Sequence, residues 1–529
     1  MGRLVGRIIP RLALAVSTAF VLSSGALCAQ GESTAEAHAN RAAEEVQAGN
    51  LEIAEAELRS AVRLAPGANT YLAGLGTVLA MEKKFAESNA IFKKVLAVTP
   101  GDVTVRRYLA ANLWQMHHYP EARENLEILL KQAPKDNQSR LLLGMVSENM
   151  KDYTKAAEIL ASVPEQTEQR PESIVALARS YYHLSRTADA RSALDKLSRF
   201  PAGTNAVFLG AQIADEAGDY ATAEQMLISI SPDAANQPII GYRIALAQFH
   251  AKQFDESRRT LLNLIGQNTG SSEVYNLLGW CYHNQNESSK ARQTFEQAIE
   301  LFPTDEANYL DLSKILIAER SFSAALRVAK QATLAFPNSA RALELKGLAE
   351  EKAEQFTDAV NSYSQAWHLD RTRSDALLGV AQAQASASMT KESATTFELG
   401  MKTFPQDLRF KVQYASVLLK QAETGDALAE TRGENLLKSA LAANPSLPAA
   451  HYELGNLALR KGRTAEALLH LQEAEKLAPK SSQVHFALAN AYRRMGRKDK
   501  SSEEMDLYQK LNNAPGTPTT PEPAGQSPN

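Results

Sequence analysis

The chain has 529 residues, of which 7% are aromatic and 22% charged, and a net charge of −3. So mild an acidic balance excludes a general binder of DNA or RNA. The abundance of Ala, Leu, Glu, Lys and Gln favours helix throughout, and the length suits an array of repeats, which grows without needing new cores.

Residues 1–30 have the layout of a secretory signal. Arg3, Arg7 and Arg11 form a basic start, and Leu12–Leu22 an apolar run, before Ser-Ser-Gly-Ala-Leu-Cys-Ala-Gln. The run is about 11 residues, short of the roughly 20 that span a bilayer. Export to the periplasm or cell envelope is therefore expected. Membrane attachment would follow only if the segment stays as an anchor or Cys28 is lipidated, and Leu27 stands where a lipidation motif has a small residue. Cys28 and Cys281 are the two cysteines, so loss of the signal leaves no pair for an internal disulfide. Cys281, between Trp280 and Tyr282, reads as a small buried apolar residue.

Beyond the signal a pattern recurs about every 34 residues. Ala35–Ala68 carries Gly49, Ala54, Leu58, Ala61 and Pro66; Asn69–Asp102 carries Gly76, Phe85, Phe92 and Pro100, with Ser88 at a place usually held by Ala. Residues 35–164 hold four such copies. Residues 165–268 are less regular: Glu165–Arg170 reads as a polar connector, and three copies follow whose second helices are short or end early. Residues 269–513 resume the pattern with seven more, one lengthened around Glu423–Gly433 and the last turning polar, as a soluble cap requires. Ala514–Asn529, rich in Pro and Thr, lacks the apolar side chains to offset its ordering entropy and reads as disordered.

The best-formed copy is Ser272–Asp305. Tyr275, Leu278, Gly279 and Tyr282 lie on a first helix, Ala291 and Phe295 on a second, and Pro303 ends it. Small Gly279 and Ala291 let two antiparallel helices approach, and the rings fill the remaining space. This motif resembles the tetratricopeptide repeat (TPR) family. About fourteen copies in register, over residues 35–513, imply an all-α, right-handed superhelical solenoid with a concave groove lined by the first helices.

The repeats leave no room for a catalytic domain, and no phosphate loop, HExxH or GxSxG motif is present. Adjacent acids such as Asp215-Glu216 and Glu350-Glu351 diverge by about 100° on a helix and do not converge as an acid and base. His183, His250 and His283 fall on separate repeats roughly 10 Å apart, too far to share a metal. No enzyme activity, cofactor or metal is expected.

In the TPR family positions 2, 5, 9, 12 and 13 of each first helix face the groove. Carried over by position, four repeats present Arg179, Tyr182, His183, Phe208, Gln212, Tyr242, Phe249, His250, Asn276, Trp280, His283 and Asn284. This aromatic and amide-rich set suits a protein or peptide partner, although half of the rings are expected to pack against neighbouring repeats. The first two repeats present only small groups: Ala39, Ala43, Thr77 and Ala80. Arg460, Arg493 and Arg494 gather charge suited to an anionic peptide or glycan. The resulting expectation is a non-catalytic scaffold or assembly factor of the cell envelope, with polysaccharide export as the alternative.

Overall fold

The structure, a computed structural model, describes residues 30–200, 205–231, 233–423 and 425–513. The expected signal segment through Ala29, including Cys28, and the Ala514–Asn529 tail lie outside the described residues. Among those residues there are 29 α-helices and no strand. None of the helices is long and apolar enough to cross a membrane. All but the five-residue Pro164–Glu168 helix fall into consecutive antiparallel pairs, such as Asn69–Met81 with Phe85–Val98 and Ser272–Asn284 with Ser288–Leu301.

Side-chain caps start several of the first helices. Asp102 accepts hydrogen bonds from the backbone N–H groups of Thr104 and Val105, starting the Val103–Gln115 helix. Asp305 accepts from Ala307 in the same way. Between the helices of a pair the chain reverses through one left-handed residue. Lys83, His117, Lys151, Ser185, Asn286, Arg320, Glu354 and Ser388 take φ between 59° and 63°, and Gly218, Gly462 and Gly496 do the same at 73° to 78°.

Within pairs two spacings repeat. Sixteen residues separate a small first-helix residue from the large side chain that fills its space: a Cβ on Gly279 would lie 2.5 Å from the Phe295 ring, one on Gly76 2.5 Å from Phe92, and one on Gly144 2.7 Å from Leu160. Twelve residues separate a hydroxyl from the carbonyl it reaches. Ser88 donates to Gly76 O at 2.6 Å, Ser257 to Ala245 O at 2.7 Å, Ser393 to Ala381 O at 2.8 Å and Ser501 to Ala489 O at 2.9 Å. Serine thus replaces the small alanine and satisfies its own buried hydroxyl.

The chain divides into two units, Met1–Thr260 and Leu261–Asn529. In the first, the irregular middle is built from shortened elements. Thr187–Asp195 and Tyr220–Ile228 have nine residues each and are followed by 3-10 turns at Lys196–Arg199 and Ala234–Asn236. The Glu165–Arg170 connector is instead largely helical. Pro164 starts a turn that buries Thr167, 1% exposed, whose hydroxyl caps Leu160 O at 2.8 Å. In the second unit the surplus around Glu423–Gly433 joins the long Ala427–Ala443 helix. Gly433 lies inside that helix, where a Cβ would meet Leu419 at 3.1 Å. Cys281 is fully buried.

Candidate partner-binding groove

In the first unit, the first helices of successive pairs line a concave pocket that is partly open to solvent. Thr77 and Ala80 come from Asn69–Met81; Arg107, Tyr108, Ala111, Trp114 and Gln115 from Val103–Gln115; Leu141, Leu142 and Met145 from Asn137–Asn149. Arg170, Glu172 and Ser173 close the end. Most of these are second, fifth, ninth, twelfth or thirteenth residues of their helices, the positions that the repeat pattern assigns to the groove. The small Thr77 and Ala80 leave the room that Trp114 and Met145 line.

The pocket floor is polar but satisfied. Asn112, 3% exposed, donates to Ser88 Oγ at 2.8 Å and to Asn89 Oδ1 at 2.9 Å. Arg107 is held by Asp136 at 2.5 Å. Burial pushes the Tyr108 hydroxyl pKa up. Trp114 is half-buried and packs against two apolar clusters, one centred on Leu109 and Leu126 and one on Leu141 and Ile174.

The eight expected groove residues of the first unit are mostly engaged with neighbours. Arg179 pairs with Glu148 at 2.5 Å. The Tyr182 hydroxyl donates to Asp219 at 2.8 Å, and burial together with that carboxylate drives its pKa up. Burial works to raise the Asp219 pKa, but hydrogen bonds from Arg191 and Tyr182 outweigh it and hold the carboxyl below its usual range. The exposed His183 ring stacks on Tyr153 at 3.9 Å, and Phe208 lies under Arg243 at 4.6 Å. His250 meets Asp215 at 3.1 Å and Tyr220 at 5.3 Å, and Phe249 packs edge-on to Phe254. Tyr242 is half-buried. Gln212 is exposed and bonds Glu216 at 2.8 Å along its own helix.

The four in the second unit form a tighter group. Asn276 and Trp280 both donate to Asp311 Oδ2 at 3.1 Å. Trp280 stands edge-on to His283 at 5.4 Å, and Asn284 donates to Trp280 O at 2.9 Å. His283 Nδ1 is buried without a hydrogen-bond partner. Of the basic trio, Arg460 pairs with Glu423 at 2.6 Å, Arg494 donates to Leu459 O, and the exposed Arg493 bonds Asn490 at 2.8 Å.

Trp114, Leu141 and Met145 satisfy the same positional rule, but aromatic density does not mark them, because only Trp114 is aromatic.

Comparisons with known proteins find the same repeats in the sequence. Tetratricopeptide repeat models match residues 39–103, 431–482 and 79–146. A model of anaphase-promoting complex, cyclosome, subunit 3 matches residues 115–197, and one of the tetratricopeptide repeat protein 21 C-terminal ARM domain matches residues 222–380. No curated protein matches the sequence. Among solved structures, yeast Tom70 is similar at 14% identity, with 92% of this chain and 93% of that chain covered and a TM-score of 0.43. The C-terminal part of a TPR repeat-containing protein from Cytophaga hutchinsonii is similar at 15% identity, covering 46% of this chain and 98% of that one, at a TM-score of 0.38. The family-model matches and the helix pairing identify the chain as one that carries tetratricopeptide repeats.

Proposed function

We propose that the protein is a non-catalytic scaffold that binds an extended protein segment in the first unit's pocket and works in a bacterial cell envelope. The observation that supports binding is the pocket itself: groove-position side chains from successive first helices converge on one concave space, with apolar walls and Arg107, Gln115 and Gln138 beside them. Apolar walls take a partner's side chains, and the Gln115 and Gln138 amides suit its backbone. Envelope placement is supported by the basic and apolar start of the sequence. The alternative, a glycan partner in polysaccharide export, finds less support, because Arg460 and Arg494 already bond within the chain.

The test fills the pocket rather than emptying it. Ala111→Phe places a ring in the space without removing Trp114. Partners recovered by pull-down with the signal-free chain are expected to fall at least tenfold with Ala111→Phe at unchanged helical content. They are expected to persist with Tyr242→Ala/Trp280→Ala. Loss only with the second variant would move the site to the expected aromatic set. Cell fractionation checks the envelope placement, and recovery in the cytosol would overturn it.

A further inference from the structure

At the C-terminal end of the second unit, three helices bring one imidazole and two carboxylates together. Glu475 lies on Thr464–Leu477, His485 on Ser482–Arg494 and Glu504 on Lys498–Asn513. Their ligand atoms all fall within 4.8 Å of one another. His485 is 3% exposed. Its Nε2 lies 2.9 Å from Pro479 O, a carbonyl that only accepts, so the proton is on Nε2 and the Nδ1 lone pair is left for other use. That Nδ1 sits 2.7 Å from Glu504 Oε2. At this distance the two share a proton.

A single proton serves that contact but leaves Glu475 unneutralised. Among the described residues neither Glu475 nor Glu504 pairs with a lysine or arginine, and Glu475 lies half-buried beside Glu504. One repeat earlier the corresponding residues are His451 and His470, with Nδ1 atoms 3.1 Å apart, and Leu441 in the place of Glu475. The imidazole contact is therefore a recurrent tie within a pair, whereas a third ligand, supplied by the preceding pair, joins it only here among the described residues.

We propose that Glu475, His485 and Glu504 bind a divalent cation of the zinc class, which clamps the last helix to the two helices before it. A nitrogen with two carboxylates suits zinc better than magnesium or calcium, which favour all-oxygen sites. Three protein ligands leave a position for water. The Nε2–H bond to Pro479 O is the orienting bond that metal-bound histidines ordinarily carry. Tetrahedral zinc at about 2.0–2.1 Å from each ligand sets neighbouring donor atoms about 3.3 Å apart, so the Glu504 carboxylate withdraws by about 0.6 Å from its present contact with His485.

The experiment uses the tag-free chain, stripped of metal, with zinc chloride as the probe. Calorimetry is expected to find a zinc site weakened at least tenfold by Glu475→Gln, which keeps the His485–Glu504 contact, and unchanged by His470→Gln. Hydrogen exchange within residues 498–513 is expected to slow about tenfold at free zinc tenfold above Kd, since the cation binds only the docked helix. Zinc affinity that survives Glu475→Gln overturns the proposal. So does an exchange rate in that helix that acid slows but zinc does not.

Discussion

Gly279 shows how far a single position is fixed by its neighbour. A Cβ there would lie 2.5, 2.7 and 2.8 Å from three atoms of the fully buried Phe295 ring. The ring cannot retreat, because Trp280 packs edge-on to it at 6.0 Å. Gly279→Ala is expected to destabilise the second unit by about 1–3 kcal/mol, read as a lower midpoint in Trp280 fluorescence. Gly67→Ala, whose Cβ meets nothing within 4 Å, is expected to stay within about 0.5 kcal/mol. Phe295→Leu in the same chain should recover part of the Gly279→Ala loss, because the two residues share one space. This pairing was legible in the sequence, since Gly279 and Phe295 stand at pattern positions where small and large residues alternate. Side-chain direction at the groove was not. The positional rule gives the face on which Tyr182 sits, but its hydroxyl turns to Asp219, 37 residues on, and that depends on how the next pair stacks.

Between elements, polar ties recur that residue identity conceals. The fourth residue of several first helices donates to the carbonyl of the proline six residues earlier: Arg106 to Pro100 at 2.8 Å, Tyr309 to Pro303 at 3.2 Å, and His451 to Pro445 and His485 to Pro479 at 2.9 Å. The carbonyls at a helix end need donors, and arginine, tyrosine and histidine meet that need equally. The sequence shows where proline ends a helix and hides which side chain then caps it. The Pro164–Glu168 turn was missed for a similar reason: its polar composition reads as loop, and only burial of Thr167 makes it an element. Charge ties across elements are testable by acid. Glu434, on Ala427–Ala443, accepts from Lys438 at 2.7 Å and from Lys461, just past the next helix, at 2.8 Å. These bonds, with Lys438 first and Lys461 second, hold its pKa at about 2. The folded value is below the unfolded one, so the stabilisation is complete above the ordinary carboxylate pKa of about 4.3 and fades as pH falls toward 2. Glu434→Gln should cost of order 1 kcal/mol at pH 7, allowing for solvent around the exposed Lys438. Its melting temperature should converge with that of the parent between pH 4.5 and 2. A gap that persists at pH 2 would show that the loss is steric.

At the scale of the molecule, stacking of like pairs sets how the chain loses structure. A single core shared by all residues unfolds in one cooperative step. Repeats that each touch mainly their neighbours behave as a linear array, whose stability is a sum of pair and interface contributions, and distant parts can open separately. The three tryptophans are placed to tell these cases apart, with Trp114 in Met1–Thr260 and Trp280 and Trp367 in Leu261–Asn529. Chains that keep only Trp114 or only Trp367, the others replaced by phenylalanine, are expected to give different urea midpoints by fluorescence. Gly279→Ala supplies the internal control. In an array its cost is local, so it should leave the Trp114 transition in place while bringing forward opening around Phe295. Coincident curves that shift together on Gly279→Ala would instead mean one cooperative unit. Local opening also bears on binding, because the pocket walls come from separate helices. If each pair can yield without its distant neighbours, the pocket can adjust to a segment at the cost of a few contacts rather than of the whole fold.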